Sequence, residues 1–329
     1  MLTPCQAEAL RAIEENRYVF LSGYAGTGKS YVIKGLPFTL CGASGKCAAD
    51  LGGVTIHSFT GVKFGGHIVP TVISMKHKSE IKQVHDLVID EISMIDGRMM
   101  DLLDLYFRCV RGSLLPFGGM RVVFCGDPFQ IGPVQRRGGW FFESEVWKRM
   151  KPKFIFMKTP CRQQGEFSRI LNIMRWGRGG GEVEDYMRSR VSSDVSDCKV
   201  MCNTNEEVEM WNRKLFNGSV CDVVFTKNGK DRNRKAYFNG QVCEWREGRV
   251  GTYTGDLPLR MCMGMTVHRA QGSTFDRVSV GLKRCFAPGQ AYVACSRGKD
   301  LRVREYNSRA VFAERKVVEF LNGHGLYAA

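Results

Sequence analysis

The sequence predicts an α/β protein with two domains, each built on a parallel sheet. The chain has 329 residues, which is long enough for about two domains. Short apolar runs typical of buried strands alternate with helical stretches over the first half. A Gly-x-x-x-x-Gly-Lys-Ser loop at residues 23–30 follows the first of these runs and precedes a helical stretch. That context is typical of phosphate-binding loops in α/β proteins.

The elements of the first half follow in chain order. We expect a helix at 7–16, a strand at 18–21 leading into the loop, and a helix at 30–36. Further strands are expected at 54–56, 87–89, 121–124 and 154–157, with a helix at 97–109. This alternation favours a parallel sheet with helices on both faces.

The second half begins with an expected helix at 165–174 and a Gly/Arg-rich patch at 175–181. From residue 220 to about 256, short strand-like pieces alternate with turns at 228–229, 239–240 and 247–248, which predicts a small all-β insertion. Segments 278–280 and 291–294 are interpreted as a return to the α/β pattern, and 308–321 as a final helix.

The overall charge points to a polyanionic partner. The chain has 48 Lys and Arg residues against 33 Asp and Glu residues, a net charge of +15, and a pI near 9.3. A basic surface that only aids solubility remains the alternative.

Cysteine usage and hydropathy narrow the class further. The thirteen cysteines are scattered, with no Cys-x-x-Cys pair or zinc-type spacing, which favours free thiols in a reducing compartment. No apolar run reaches the roughly 18 residues of a membrane span. Motifs begin almost at Met1, so we expect no cleaved targeting peptide.

The loop and a downstream acidic pair predict phosphoryl-transfer chemistry. Backbone N–H groups of the loop would face phosphates, Lys29 would reach the β and γ oxygens, and Ser30 would hold magnesium. Asp90 and Glu91 end an apolar strand, where the first carboxylate can hold magnesium and the second can orient water. In a purely structural interpretation the two carboxylates simply end a strand at the surface.

Two arginines are candidates for stabilising charge on a departing phosphate. Arg162 lies in Pro-Cys-Arg-Gln just past a predicted strand, and Arg297 ends the Tyr-Val-Ala-Cys-Ser-Arg block, also placed after a strand. Either could instead be a solvated surface group.

Two further blocks, 53–59 and 266–274, combine small hydroxyl donors with histidine and suit a nucleic-acid backbone. Phe59, Phe64 and Phe129 could offer stacking faces to bases, although aromatic residues after strands are more often core.

Together these blocks resemble the Pif family of superfamily 1 DNA helicases, which are relatives of RecD-like helicases. The resemblance runs from residues 2–6 to 292–297 and is most specific over 89–96, 117–119 and 125–134. It implies an N-terminal RecA-like ATPase domain at 1–155, with a short insertion at about 62–85. It also implies a C-terminal RecA-like domain at 156–329, with an SH3-like β insertion at about 220–256.

The resemblance also implies roles for individual residues. The catalytic set is Lys29, Asp90, Glu91, Gln130, Arg162 and Arg297, with the two arginines coming from the second domain and Gln130 sensing the γ-phosphate. The nucleotide set is Gln6, which would read adenine, with Gly23, Gly26, Gly28, Lys29, Ser30 and Gly272. The metal ligands are Ser30 and Asp90, and the single-strand path is lined by Thr55, His57, Phe59, Thr266 and His268.

The implied activity is that of an ATP-dependent DNA helicase that uses Mg²⁺ and moves 5′ to 3′ along single-stranded DNA. It would act on forked duplex DNA in repair, recombination or telomere maintenance as a monomeric motor, in the nucleus of a eukaryote or otherwise the cytoplasm.

The family pattern is not matched at every position. Arg269-Ala270, Cys295, Pro128 and Gly132 depart from it, and the short 62–85 segment implies a small strand-separating element. A viral-type RNA helicase, a nucleic-acid clamp without unwinding and a small-molecule kinase stay open as alternatives.

Overall fold

The computed structural model describes residues 2–61, 75–133, 138–215 and 264–327, and between 216 and 263 the backbone of five strands. The chain forms two compact units. The first comprises Met1–Ser168 together with Glu314–Ala329, and the second comprises Arg169–Ala313.

The first unit is built on a six-stranded parallel sheet with the order β3-β2-β4-β5-β1-β6. Its strands are β1 (Tyr18–Gly23), β2 (Thr39–Gly42), β3 (Val54–Thr55), β4 (Asp86–Asp90), β5 (Arg121–Cys125) and β6 (Lys153–Met157). The parallel sheet predicted from the alternation of strand and helix is confirmed. Strand β6 pairs with β1 from Lys153 to Met157, so the first unit continues past residue 155, where the sequence suggested a boundary.

Helices cover this sheet, and several of them begin at side-chain caps. The helices are α1 (Pro4–Glu15), α2 (Lys29–Lys34), α3 (Gly45–Leu51), α4 (Ile56–Thr60), α5 (Met75–Gln83), α6 (Gly97–Arg111), α7 (Glu145–Met150) and α13 (Arg315–Asn322). Thr3 and Gln6 form a reciprocal capping box at the start of α1, and the Asp96 side chain accepts from the Met99 N–H at the start of α6. Of the expected 62–85 insertion, residues 62–74 lie outside the described part, and 75–83 form α5.

The core of the first unit lies between the sheet and its helices. Val19 and Leu21 of β1, Val88 of β4 and Val123 of β5 pack with Ile33 of α2 in one buried cluster. Burial of these apolar side chains supplies the main stabilisation. The same packing orients the carboxyl ends of β1, β4 and β5, where the polar residues of the site lie.

The second unit contains a four-stranded parallel sheet with the order β13-β7-β14-β15. Its strands are β7 (Lys199–Cys202), β13 (Gly264–Thr266), β14 (Phe275–Leu282) and β15 (Gly298–Tyr306). Its helices are α9 (Glu182–Ser189), α10 (Asn205–Leu215), α11 (Val267–Ala270) and α12 (Gln290–Ser296), and α8 (Gly165–Arg175) contains the change of unit.

The structure specifies two elements of the second half more closely than the sequence did. Residues 291–294 belong to helix α12, and the strand precedes them at 275–282. A short apolar run is compatible with both helix and strand, and the fully buried surroundings of α12 remove the amphipathic pattern that would distinguish them. The last helix begins at Arg315 rather than Ser308, after a short 3-10 turn at Ser308–Ala310.

An antiparallel sheet lies between α10 and β13 in the chain. It has the order β11-β10-β9-β8-β12, with strands β8 (Val220–Lys227), β9 (Lys230–Phe238), β10 (Val242–Trp245), β11 (Val250–Thr252) and β12 (Leu259–Met261). The insertion therefore runs to Met261 and is all-β over its described strands. Its three expected turns lie outside the described residues. An SH3-like arrangement stays a prediction.

Within the part of the chain that the structure describes, no helix combines the length and apolar character needed to cross a bilayer.

Candidate nucleotide site and nucleic-acid contacts

The phosphate loop joins β1 to α2 and requires glycine at two positions. Gly26 and Gly28 have φ of +74° and +83°, a region that other residues enter at a cost. A Cβ on Gly28 would lie 2.5 Å from the side-chain nitrogen of Gln6, and a Cβ on Gly26 would lie 2.5 Å from the Cβ of Arg162. The loop is therefore enclosed by α1 on one side and by the segment after β6 on the other.

Lys29 lies over the loop. Its Nζ donates to the carbonyl oxygens of Gly23 and Tyr24 at 3.0 and 2.9 Å. These bonds hold the ammonium at the start of α2, where backbone N–H groups and the helix dipole also favour an anion.

Gln6 is buried beside the loop and held from its own helix. Its Oε1 accepts from the Thr3 N–H at 2.9 Å, and its side-chain nitrogen is directed at Gly28. The capping box therefore orients the amide that the family resemblance assigns to adenine.

Ser30 and Asp90 bring two oxygen donors together at the end of β4. Ser30 Oγ donates to Asp90 Oδ2 at 3.4 Å, and Asp90 Oδ1 accepts from the Glu91 N–H at 2.8 Å. Burial raises the pKa of the Asp90 carboxyl, against hydrogen bonds from Cys125, the Glu91 N–H and Cys47 and the charge of Lys29. Hydroxyl and carboxylate oxygens are ligands that Mg²⁺ prefers, so these residues fit that ion.

Two buried thiols next to Asp90 were not anticipated from the sequence. Cys47 Sγ donates to Asp90 Oδ2 at 3.5 Å, and Cys125 also donates to this carboxylate. Burial raises the pKa of both thiols, which keeps them protonated as weak donors. Cys125 adjoins the recognised Gly126-Asp127 block, whereas Cys47 carries no sequence signal of its own.

Glu91 follows Asp90 in a left-handed backbone conformation, with φ +55° and ψ +44°. A non-glycine residue in this region costs free energy and is common at functional sites. The turn at 92–94 then directs the chain into α6.

Gln130 is held by a tight turn at the end of β5. The Asp127 carboxylate accepts from the Phe129 N–H at 3.2 Å, and the Asp127 carbonyl accepts from the Gln130 N–H at 3.0 Å. The Gln130 side chain is 6% exposed, and its Oε1 has no hydrogen-bond partner among the described residues. Such an atom is costly in a folded protein, so a water molecule or a polar ligand that bonds it would stabilise the site. Phe129, at 3% exposure, is core and offers no stacking face.

Arg162 lies in the first unit, and the expectation that it comes from the second domain is corrected. The Cys161 N–H donates to the Gly26 carbonyl at 2.7 Å, so the segment after β6 lies against the phosphate loop. The pairing of β6 with β1 carries the chain there.

Arg297 and Gly272 lie in the second unit. Arg297 is 2% exposed at the end of α12; its Nε donates to the Val293 carbonyl at 3.1 Å and its Nη2 to Ser296 Oγ at 2.7 Å. Gly272 is exposed in the turn after α11, with φ +81°. The nucleotide roles of both residues stay predictions.

The two units repeat one arrangement of threonine and histidine. Thr55 ends β3 and caps α4 by accepting from the Ser58 N–H at 3.0 Å, and Thr266 ends β13 and caps α11 by accepting from the Arg269 N–H at 3.3 Å. Each strand is at an edge of its sheet, and each histidine is the second residue of the helix that follows. Burial lowers the pKa of both His57 and His268, which favours neutral rings.

Phe59 is part of the core rather than a stacking residue. Its side chain is 7% exposed, and its ring lies 6.2 Å from that of Phe107. Packing anchors the short helix that carries His57, which leaves no face of Phe59 for a base. Phe64 lies outside the described residues.

These elements define a P-loop nucleotide-binding protein with RecA-like α/β architecture. A family model for PIF1-like helicase matches residues 1–169. The chain belongs to the PIF1-like helicase family.

Similar proteins span nearly all of this chain. The human ATP-dependent DNA helicase PIF1 is 28% identical over 96% of this chain and 62% of its own length. The protein of that name from Bdellovibrio bacteriovorus is 27% identical over 97% of this chain and 91% of its own. The chain thus spans less than two thirds of the vertebrate relatives it matches.

Solved Pif1 structures share the fold. Pif1 helicase from Candida albicans has a TM-score of 0.83 at 24% identity, covering 99% of both chains. Bacteroides Pif1 in complex with ADP-AlF3 and single-stranded DNA has a TM-score of 0.83 at 23% identity, covering 99% of this chain and 97% of that one.

Proposed function

We propose that this protein is an ATP-dependent DNA helicase that hydrolyses ATP to move along single-stranded DNA and unwind duplexes. The observation that carries the proposal is the set of groups around the phosphate loop. Lys29 lies over the loop, Ser30 contacts Asp90, and the buried Gln130 presents, at the end of the neighbouring strand, an amide oxygen that has no partner among the described residues. Family membership and the human and Bdellovibrio relatives, both named ATP-dependent DNA helicases, support the same activity.

Each group has a part in phosphoryl transfer. We assign Gln6 to the adenine, Lys29 to the β and γ oxygens, and Glu91 to the attacking water. Gln130 Oε1, which no other described residue bonds, can accept a hydrogen bond from that water. Gly23, Gly26 and Gly28 keep the loop backbone close to the phosphates.

Magnesium would be held by the Ser30 hydroxyl and by the Asp90 carboxylate, which lies at the end of β4. When bound it neutralises charge on the phosphate oxygens. The Glu91 N–H and the two thiols keep the Asp90 carboxylate in place for this role. Arg162 and Arg297 complete the proposed catalytic set by placing positive charge at the departing phosphate.

The nucleic-acid part of the proposal rests on the repeated threonine and histidine arrangement. Each unit would contact the nucleic-acid backbone through one such pair, Thr55 with His57 on the first unit and Thr266 with His268 on the second. Tightening these two grips in turn during the ATP cycle would move the strand. The family resemblance further suggests movement in the 5′ to 3′ direction, action on forked duplexes and a monomeric motor. It also suggests a role in DNA repair, recombination or telomere maintenance. The protein would then act in the nucleus of a eukaryote or otherwise in the cytoplasm.

The first experiment is ATP hydrolysis with and without single-stranded DNA or RNA, paired with strand displacement on duplexes tailed at the 5′ or the 3′ end. We expect stimulation by DNA and displacement of the 5′-tailed substrate. Stronger stimulation by RNA would favour a viral-type RNA helicase. Stimulation with the duplex left intact would favour a clamp, and hydrolysis that ignores polynucleotides would favour a small-molecule kinase.

Two variants connect this activity to the site. Lys29→Ala should abolish hydrolysis, and Glu91→Gln should retain ATP binding while turnover is lost. Normal turnover in either variant would remove the role assigned to that residue. Lys34→Ala, an exposed lysine on the same short helix, is the matched control and should hydrolyse ATP like the unchanged protein.

A further inference from the structure

An exposed aromatic side chain lies beside the second unit's histidine. Phe286 is 61% exposed and sits between β14 and α12. Its ring lies 6.2 Å from that of His268, with 20° between the two planes, which is an offset stacked arrangement. Much of the Phe286 ring thus faces solvent next to His268, which we assign to the path of the single-stranded DNA.

The backbone of Phe286 is held from below by Gln290. The Gln290 side chain is fully buried, and its Oε1 accepts from the N–H groups of Phe286 and Ala287 at 2.9 and 3.2 Å. The Gly289 N–H donates to the Phe312 carbonyl at 3.0 Å, which fixes the far end of the segment. Hydrogen bonds therefore fix both ends of the backbone segment that carries the exposed ring.

The Gln290 amide makes these bonds at a cost. Its Nε2 is buried and has no hydrogen-bond partner among the described residues. A leucine would fill this position without an unpaired polar group, but it could not accept from the two N–H groups of the segment. The Gln290 amide therefore holds the Phe286 backbone in place, which an apolar side chain at this position could not do.

Charge around the ring suits a polyanion. Lys283 and Arg284 lie three and two positions before Phe286 in the chain, and both are exposed. An aromatic face flanked by cations is the combination with which proteins hold single-stranded nucleic acid, because the ring takes a base and the cations take phosphates.

We propose that Phe286 stacks on a nucleobase of the bound single strand, with His268 behind the ring and Gln290 positioning its backbone. This inference rests on the proposed function and adds a base contact to a path that otherwise consists of backbone contacts. Stacking tolerates any base, as a protein that moves along DNA requires.

The test compares the unchanged protein with Phe286→Ala, Phe286→Leu and Phe286→Trp in fluorescence anisotropy. Two labelled oligonucleotides of equal length are used, one of thymidines and one with abasic sites throughout its interior. Met210→Ala removes another exposed apolar side chain of the second unit and is the matched control. Circular dichroism verifies that each variant is folded.

We expect Phe286→Ala and Phe286→Leu to bind the thymidine oligonucleotide about tenfold more weakly, since stacking on an aromatic side chain is worth roughly that much per base. The same variants should bind the abasic oligonucleotide as the unchanged protein does. Phe286→Trp should retain affinity for the thymidine oligonucleotide, and Met210→Ala should resemble the unchanged protein on both.

Equal losses on both oligonucleotides would mean that the ring acts only through the fold, and no loss on either would mean that no base contacts it. Both results overturn the inference. An unchanged protein that binds neither oligonucleotide would instead reject the proposed function itself, and the base contact with it.

Discussion

Replacing Gly26 by alanine tests how closely the phosphate loop is enclosed by the segment that carries Arg162. The new Cβ would lie 2.5 Å from the Cβ of Arg162 and 3.1 Å from Oε1 of Gln163. Carbon atoms in ordinary contact are about 3.5–4.0 Å apart, so the loop and the segment must separate by about 1 Å. The hydrogen bond from the Cys161 N–H to the Gly26 carbonyl, now 2.7 Å, lies directly at this contact.

Two costs combine in this variant. A residue other than glycine pays about 1–2 kcal/mol at the φ of +74° that Gly26 adopts. Weakening the hydrogen bond from Cys161 adds about 1 kcal/mol. We expect about half of this sum to oppose the loop conformation that binds phosphate. That corresponds to roughly tenfold weaker ATP binding. The remainder should lower the Tm of the first unit by about 3–6 °C.

The assay is ATP binding and steady-state hydrolysis, together with thermal unfolding in the absence of nucleotide. Gly45→Ala is the control because Gly45 starts α3 and no described atom lies within 4 Å of a Cβ placed there. It should leave ATP binding unchanged and leave stability equal or slightly higher, since alanine favours the helix. Unchanged ATP affinity and Tm in Gly26→Ala would refute the close contact between the loop and residues 161–163.

Three further predictions follow from the site. Arg297→Ala should lower kcat at least about a hundredfold with little change in nucleotide affinity. Arg297→Lys should not restore kcat, because an ammonium lacks the planar, forked donor set with which the guanidinium bonds Val293 and Ser296 from two different nitrogens. Weaker ATP binding at unchanged kcat would contradict this. Gln130→Leu should lower kcat about a hundredfold. It should not lower the Tm, because it removes a buried amide oxygen that has no partner among the described residues. A lower Tm with intact hydrolysis would contradict this prediction. Burial lowers the pKa of His57 and His268 from 6.5, so both rings are neutral at and above pH 7. The slope of log DNA affinity against log salt concentration should therefore be the same at pH 8 and at pH 7. A slope steeper by about 0.7 per histidine at pH 7 would show that the rings are charged.

The parts of the fold that the sequence predicted are those with a strong local pattern. Strands β1, β4, β5 and β6 are continuous apolar runs next to recognisable loops, and each was placed within about two residues. Strand β2 was missed because Thr39–Gly42 is short and only its end is buried. Strand β15 was missed because charged and apolar residues alternate along it, which is also common in exposed segments.

Helix α12 shows why a short apolar run does not by itself distinguish a helix from a strand. All seven of its residues are buried, so no polar face marks a helical period. Gly289, the N-cap of this helix, is a weak local signal of a helix start because glycine is tolerated at that position. Contacts across the second unit decided the outcome.

The sequence by itself determined the phosphate loop, the acidic pair after β4 and the threonine–histidine blocks, because each depends on residue types at fixed short spacings. Only the tertiary structure decided which distant residues meet. Strand pairing brings Arg162 to Gly26, and the order β2-β4-β5 brings the thiols of Cys47 and Cys125 to Asp90. The ring of Phe286 likewise reaches His268 through the packing of the second unit. These contacts depend on strand order and side-chain direction, which local spacing does not encode.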